Sequence, residues 1–433
     1  MTDSTDIANR STGCHPVPGR LDCPPMTPTH DRPPRPADFH IADLFAGPGG
    51  LDVAAKVLGV SSIGVEWDDP TRATREAAGL RTTDERDVAE LGPCGTEVRG
   101  ANVLTGGPPC QTFSVAGNRE GHKALEVVKR LASQLAGHES ATSFDAAWRE
   151  VKAETDAMSD PRTGLVLQPL RWIMEAKLKR HEPYEVIVLE QVPTVLPVWK
   201  HYVEILKATG YAAGAHVLHA EDFGVPQTRR RAVLIAQHSP DNVDMAVNFP
   251  TRTHQRYKKG EIRLPEQPGP EREEQRMLFV SSEQKKRPFK PWVAMQDVLS
   301  ERPRDFEVVS NYGSGGNPKD RGRRTSEQPA ATVTGKFRRN RVFLLKETTS
   351  GRKSMGEELE RLSPKEGGLL QSFPGAYPWR STDVAQQIGN AIPPLLSLHI
   401  LSSALRLGQP NDDLVKKLAA WKPESADASA ENV

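Results

Sequence analysis

Cysteine is scarce: 433 residues hold four, Cys14, Cys23, Cys94 and Cys110. None stands in a C-x-x-C pair or at a Cys/His zinc spacing. That argues against a structural zinc site and a disulfide scaffold, and makes a reducing cytoplasm the expected setting. Net charge is nearly absent as well, with 57 Lys and Arg against 56 Asp and Glu. The balance disfavours a protein that simply coats nucleic acid, although it leaves room for a local basic surface. No run of about 18 apolar residues occurs, so neither a transmembrane helix nor a membrane partner is expected. No apolar stretch follows a basic start at the N-terminus, so no secretory signal is expected. Length is ample: two or three domains at about 100–200 residues each, with a substantial core.

Residues 1–38 are rich in Pro, Thr, Ser and Asp and lack apolar periodicity, which predicts a disordered arm. Phe39–Phe45 is an apolar run ending in Gly47-Pro48-Gly49-Gly50, and Leu51–Leu58 reads as a helix. Further short apolar runs follow at Ser61–Val65, Asn102–Leu104, Val186–Leu189 and Ala232–Ala236. Short strands alternating with helical stretches predict an α/β fold with a mostly parallel, Rossmann-like sheet, whose ligands bind beyond the carboxyl ends of strands. Residues 122–158 read as a pair of inserted helices, with Leu125, Val128, Ala132 and Leu135 on one face and Phe144, Ala147, Trp148 and Val151 on another. Residues 251–340 carry 20 Lys and Arg against 12 Asp and Glu. This reads as a separate, loop-rich basic module, suited equally to a solvated surface or to nucleic acid. Pro394–Leu407 reads as an apolar helix. The expected division is thus an arm to residue 38, a catalytic and cofactor-binding domain over 39–238, a recognition domain over 239–340, a return over 341–408 and a tail over 409–433.

Several strand ends carry residues able to do chemistry. The Gly47–Gly50 turn permits a close backbone approach, and the following helix presents free N–H groups. Glu66, 19 residues after Gly47, can accept from both hydroxyls of a ribose, and Trp67 offers a flat face to an adenine. Each reads as well in a blander way, Glu66 as a surface carboxylate and Trp67 as a core aromatic. Asp87 can hold an adenine amino group or cap a loop. Gly106-Gly107-Pro108-Pro109 forms a stiff turn that projects Cys110, either a nucleophile or a buried structural thiol. Cys94 sits in another turn and is given no function. Glu190 ends the Val186–Leu189 run, where a desolvated carboxylate can act as a proton donor. Arg229 and Arg231 share a face if their segment is extended, and can bind a carbonyl or a phosphate or simply form a basic edge.

In order, Asp43-Leu44-Phe45-Ala46-Gly47-Pro48-Gly49-Gly50, Gly107-Pro108-Pro109-Cys110-Gln111-Thr112-Phe113-Ser114 and Glu190-Gln191-Val192 resemble the DNA (cytosine-5)-methyltransferase family. So do Gln227-Thr228-Arg229-Arg230-Arg231, Gln371-Ser372-Phe373-Pro374 and Gln387-Ile388-Gly389-Asn390-Ala391-Ile392-Pro393-Pro394. The match spans about residues 39–407. The resemblance implies S-adenosylmethionine as methyl donor, with S-adenosylhomocysteine as product, and no metal. It makes Cys110 the nucleophile at cytosine C6, Glu190 the partner of ring N3, Arg231 the partner of O2, and Arg229 an orienting residue for Glu190 or nearby backbone. It assigns Phe45, Gly47, Gly49, Gly50, Glu66, Trp67, Asp87, Pro109 and Asn390 to the cofactor pocket. It also implies a C-terminal helix folded back onto the first helix. Double-stranded DNA with the target base extruded is the implied substrate, bound by a monomer with room for a companion restriction endonuclease. The basic block occupies the position of the family's target-recognition region.

The chain departs from the family pattern at Gln191, where the family usually has an Asn whose amide braces the cysteine loop, and in the long 122–158 segment. Transfer RNA methylation by the same chemistry and a non-catalytic DNA-binding relative remain as alternatives. A nicotinamide dehydrogenase shares the glycine turn and Glu66 but leaves Pro109-Cys110-Gln111 unexplained.

Overall fold

A computed structural model describes residues 33–109, 119–158, 160–263, 267–268, 288–313, 321–348 and 353–423. Six strands form the main sheet: β1 (His40–Leu44), β2 (Ser61–Val65), β3 (Val103–Gly106), β4 (Val186–Gln191), β5 (Tyr211–His219) and β6 (Arg230–His238). Their order is β2-β1-β3-β4-β6-β5. The first four run parallel, while β6 runs antiparallel to both β4 and β5. The α/β, mostly parallel expectation holds. The sequence reading had no strand at Tyr211–His219, because that stretch of small residues and histidines lacks an apolar run.

Both faces of the sheet are covered, which is why the strands read as near-continuous apolar runs. Ala42, Leu44, Leu104, Ile187, Leu189 and Leu234 pack on one face, and Ile41, Val103, Val186, Val188, Val233 and Ile235 on the other. The second face is closed by α1 (Gly50–Leu58). Helix α1 begins at Gly49 and ends at Gly59, both in the left-handed region that glycine tolerates. Beside it, α2 (Asp69–Ala77) starts where the Asp68 side chain accepts from Thr71 N at 3.0 Å. The first face carries α3 (Arg119–Leu135), α4 (Ala141–Asp156), α5 (Gln168–Glu175) and α6 (Leu196–Ala208). Leu125, Val128, Ala132 and Leu135 on α3, with Phe144 and Val151 on α4, are buried in that core.

The smaller module is an antiparallel sheet in the order β10-β9-β11-β12, made by β9 (Phe306–Gly313), β10 (Arg321–Thr325), β11 (Arg341–Glu347) and β12 (Lys353–Leu359). A two-strand ribbon, β7 (Gln267–Pro268) with β8 (Pro288–Phe289), precedes α7 (Met295–Val298) and this sheet. β11 and β12 lie beyond the boundary expected at residue 340. The module runs on to Leu359, because β11 pairs with β9 and carries β12 as its neighbour. Helices α8 (Pro364–Leu370) and α9 (Val384–Asn390) join its core through Leu370, Val384 and Ile388.

Helix α10 (Pro394–Ala404) is apolar on nearly every side and packs against α1, as the resemblance implied. Two terminal expectations need correction. Residues 33–38, expected within the arm, include a short 3-10 turn at Pro36–Asp38, closed by the Arg35–Asp38 ion pair and tied to the sheet by Asn102 Nδ2 donating to Asp38 O. The expected tail contains α11 (Asp412–Ala419), whose Leu414, Val415 and Leu418 pack on the α1–α10 core, while Lys417 Nζ donates to Val57 O at 3.0 Å. Its polar composition hid an amphipathic face. Leu418→Ala is expected to destabilise the fold by about 2 kcal/mol, the lower end for a buried leucine near an edge. Urea unfolding should show a lower midpoint at unchanged slope, and an unchanged midpoint would mean that α11 does not dock.

Candidate active site

Neighbours β2 and β3 lie on opposite sides of β1, so the chain reverses direction across the sheet there. In parallel sheets the crevice at such a reversal is where ligands bind. Two turns open into it. One follows β1, the other follows β3, and Gly107 N donates to Leu44 O at 3.2 Å to hold them side by side.

The first turn begins with Phe45, a non-glycine residue at φ 57°. Such a conformation is held at a cost of about 1–3 kcal/mol. Gly47 and Gly49 follow at φ 55° and 96°. Gly50 meets the C-terminal motif at close range, for a Cβ there would stand 2.0 Å from Ile392 O. Glu66 grips this turn: its carboxylate accepts from Gly47 N at 2.8 Å and from Asp68 N at 2.9 Å. Burial pushes its pKa up, opposed by those two N–H donors. Each oxygen keeps a further lone pair for a ribose hydroxyl. Trp67, 68% exposed, is an unusual large aromatic to leave in solvent and is free to stack on a flat base. These features fit an adenosine-containing cofactor. Asp87, half-buried, accepts from Ala89 N at 2.8 Å, a loop-closing bond that leaves its second oxygen available. Asn390 is exposed at the end of α9, its Oδ1 accepting from Gln386 Nε2 at 2.8 Å. Pro109 is half-buried at the end of the second turn.

Cys110 lies outside the described residues, so the geometry concerns the groups around its approach. Glu190, at the end of β4, sits over the second turn: its Oε2 is 3.3 Å from where a Gly107 Cβ would be. Arg231 Nε forms an ion pair with Glu190 Oε1, and the two side chains are only 11% and 13% exposed. Burial lowers the Arg231 pKa, and Glu190 opposes that shift. Gln191 Nε2 donates to Pro108 O at 2.6 Å. The longer amide thus braces the turn leading to Cys110, the task usually given to Asn in the family.

Arg229 takes other partners. It is 1% exposed and donates from Nη1 to Val333 O at 3.0 Å, and from Nη2 to Gly389 O at 3.0 Å and Ala391 O at 2.9 Å. Burial first, then the like charge of Arg231, pushes its pKa down, and the three carbonyls offset that cost. It holds backbone rather than facing the crevice directly.

Among the buried polar residues not singled out from the sequence are Gln227, Gln371 and Asp43. Gln227 donates to Leu370 O at 2.8 Å and accepts from Val333 N at 3.0 Å, and Gln371 donates to Ile388 O at 2.6 Å. Both lie inside the quoted motifs, which was the available signal. The third is Asp43, a carboxyl inside an apolar strand, 4% exposed and accepting from Thr105 Oγ1 at 2.6 Å. Burial, and then the charge of Asp52, push its pKa up to about 8. A raised carboxyl pKa gives stability that is full below the unfolded value near 3.8 and lost as pH rises through about 8. Asp43→Asn cannot ionise, so the parent-minus-variant unfolding free energy should fall across that window, and a difference that is flat with pH would remove Asp43 from the account.

The profile of the C-5 cytosine-specific DNA methylase family matches residues 39–126 and 152–406. The unmatched gap falls within the α3–α4 insertion. Type II methyltransferase M.AquIA of Picosynechococcus is 24% identical over 290 residues, covering 61% of this chain and 88% of that protein. Type II methyltransferase M1.HphI of Haemophilus parahaemolyticus is 26% identical over 313 residues, 71% of this chain and 69% of that one. Type II methylase M.HgiDII of Herpetosiphon aurantiacus is 23% identical over 395 residues, 84% and 95% of the two chains. Because the profile covers the chain on both sides of the inserted helices, including both turns, Glu190 and the Arg229–Arg231 segment, this chain belongs to the C-5 cytosine-specific DNA methylase family.

Proposed function

We propose that the protein transfers a methyl group from S-adenosylmethionine to C5 of a cytosine in double-stranded DNA, through a transient bond between Cys110 and C6 of an extruded base. The observation that carries this reading is the sequestered Glu190–Arg231 pair over Gly107, three residues before Cys110. A carboxyl group and a guanidinium side by side offer a proton or hydrogen bond to ring N3 and a donor to O2. They therefore meet the charge that develops when a nucleophile adds to the ring.

Cytosine C5 is a poor nucleophile until the thiolate electron pair of Cys110 forms a bond to C6. The ring then becomes an enamine with electron density at C5 as N3 takes a proton from Glu190, which must enter the reaction as the protonated carboxyl group and recovers that proton when the ring is restored. Arg231 fixes O2 and keeps Glu190 oriented, while Gln191 braces the backbone at Pro108. When bound, S-adenosylmethionine supplies an electrophilic methyl on a sulfonium. Phe45, Gly47, Gly49, Gly50, Glu66, Trp67, Asp87, Pro109 and Asn390 would hold it. After methylation, C5 gives up its proton to a base, the C5–C6 double bond re-forms, and the Cys110 sulfur departs with its electron pair. A stacked duplex hides C6, so the base must leave the helix.

The basic module supports a duplex substrate, with phosphate contacts positioning the chain and side chains from its sheet reading base edges. The type II designation of the relatives supports a role beside a restriction endonuclease. In this reading Cys110→Ser abolishes methyl transfer, leaves cofactor affinity near the parental value and no longer forms an adduct with duplex DNA containing 5-fluorocytosine. Parental rates in that variant would remove Cys110 as nucleophile. Exchanging residues 251–359 for those of a relative should change the methylated sequence read by bisulfite sequencing, whereas an unchanged target would place recognition elsewhere.

A further inference from the structure

The floor of the cofactor turn is built by an arginine that the proposed reaction does not use. Arg75, on α2, is fully buried and presents all three guanidinium nitrogens to fixed acceptors. Nη1 donates to Asp52 Oδ2 at 2.7 Å and to Gly47 O at 3.2 Å. Nη2 donates to Arg81 O at 2.9 Å and Nε to Thr82 Oγ1 at 2.9 Å. Asp52, 1% exposed on α1, also accepts from Ser62 Oγ at 2.8 Å. The sheet leaves room for this group at Gly64, where a Cβ would stand 2.0 Å from Arg75 Nη2. Burial opposes the charge of Arg75, but Asp52 outweighs it and holds the guanidinium above its ordinary pKa.

The arrangement links the two segments that would contact an adenosine. Gly47 is gripped at its N–H by Glu66 and at its carbonyl by Arg75. One turn earlier on α2, Arg72 donates to Glu66 O at 3.1 Å and Thr83 O at 2.9 Å. Helix α2 therefore fastens both the glycine turn and the Glu66 loop from below. A buried ion pair is weak evidence for stability, since an apolar pair of similar volume often serves as well. A planar guanidinium that spreads its donors over several fixed acceptors instead confers fixed geometry.

We propose that Arg75 is a positioning residue for cofactor binding: by holding the Gly47 carbonyl while paired with Asp52, it presets the glycine turn and Glu66 for the adenosine moiety. This rests on the methyltransferase reading above. The pocket is thus organised before the cofactor arrives, and the ordering cost does not fall on the binding step.

The test uses the full chain and measures dissociation constants for S-adenosylmethionine and S-adenosylhomocysteine by calorimetry, melting temperature, and steady-state KM and kcat on duplex DNA. Arg75→Lys keeps a charge for Asp52 but has no fork to hold Gly47, Arg81 and Thr82 together. The double variant Arg75→Met with Asp52→Asn removes both buried charges at similar volume. Both are expected to fold, to bind both ligands roughly tenfold or more weakly, to show KM for the cofactor raised in step, and to keep kcat near parental at saturating cofactor. Parental cofactor affinity in either folded variant overturns the proposal. So does failure of both to fold, because Arg75 is then a folding residue. A parental chain that binds neither ligand would instead sink the methyltransferase reading, so the two failures are distinguishable.

Discussion

The site depends on one buried guanidinium. Arg229 stands just before β6 and donates to carbonyls at Val333, Gly389 and Ala391, which belong to two stretches of chain far from it in sequence. Removing its charge from water is costly unless each N–H finds a carbonyl. The three acceptors must therefore converge, and the small module, the C-terminal motif and the start of β6 are drawn to one point. Arg231, two residues on, then meets Glu190 across the β4–β6 pairing. Gln227 and Gln371 extend the same logic, each joining backbone from segments more than a hundred residues apart or from adjacent motif helices. A polar network of this kind specifies a single arrangement where apolar packing alone tolerates several.

The cofactor side is held by a different device. There the backbone itself lines the crevice, so glycines and a left-handed Phe45 shape it while Glu66 and Arg75 hold it from behind. Tyr377, whose hydroxyl donates to Pro48 O, packs with Phe373, Trp379 and Trp421 and brings the C-terminal segments against the same turn. The inserted helices α3 and α4 add core on the far face of the sheet from α1. They lengthen the path after the second turn without entering either network.

Much of this was legible in the residues. The Ser61–Val65 run matches its strand end for end, its last three residues buried. Tyr211–His219 was not legible, because a hydrogen-bonded partner and not its own composition makes it a strand. The module boundary at 340 failed for a related reason. The short apolar run of β11 is flanked by charges and β12 is mostly polar, and only the pairing of β11 with β9 and of β12 with β11 assigns them to the small sheet. Helix α11 was hidden because a short amphipathic stripe in a polar segment has no reader until the α1–α10 surface exists.

By itself the sequence determined the kind of chemistry, through side chains whose reactivity is local: a thiol after a stiff proline turn, a carboxylate at a strand end, a glycine turn before a helix. Tertiary structure alone decided which arginine meets Glu190 and which holds backbone. It also decided that Gln191 reaches Pro108 and that Asp43, Asp52 and Arg75 share one buried space. Those outcomes depend on distances between residues far apart in the chain, and on desolvation that no single residue carries with it, so they come into being only when the chain closes on itself.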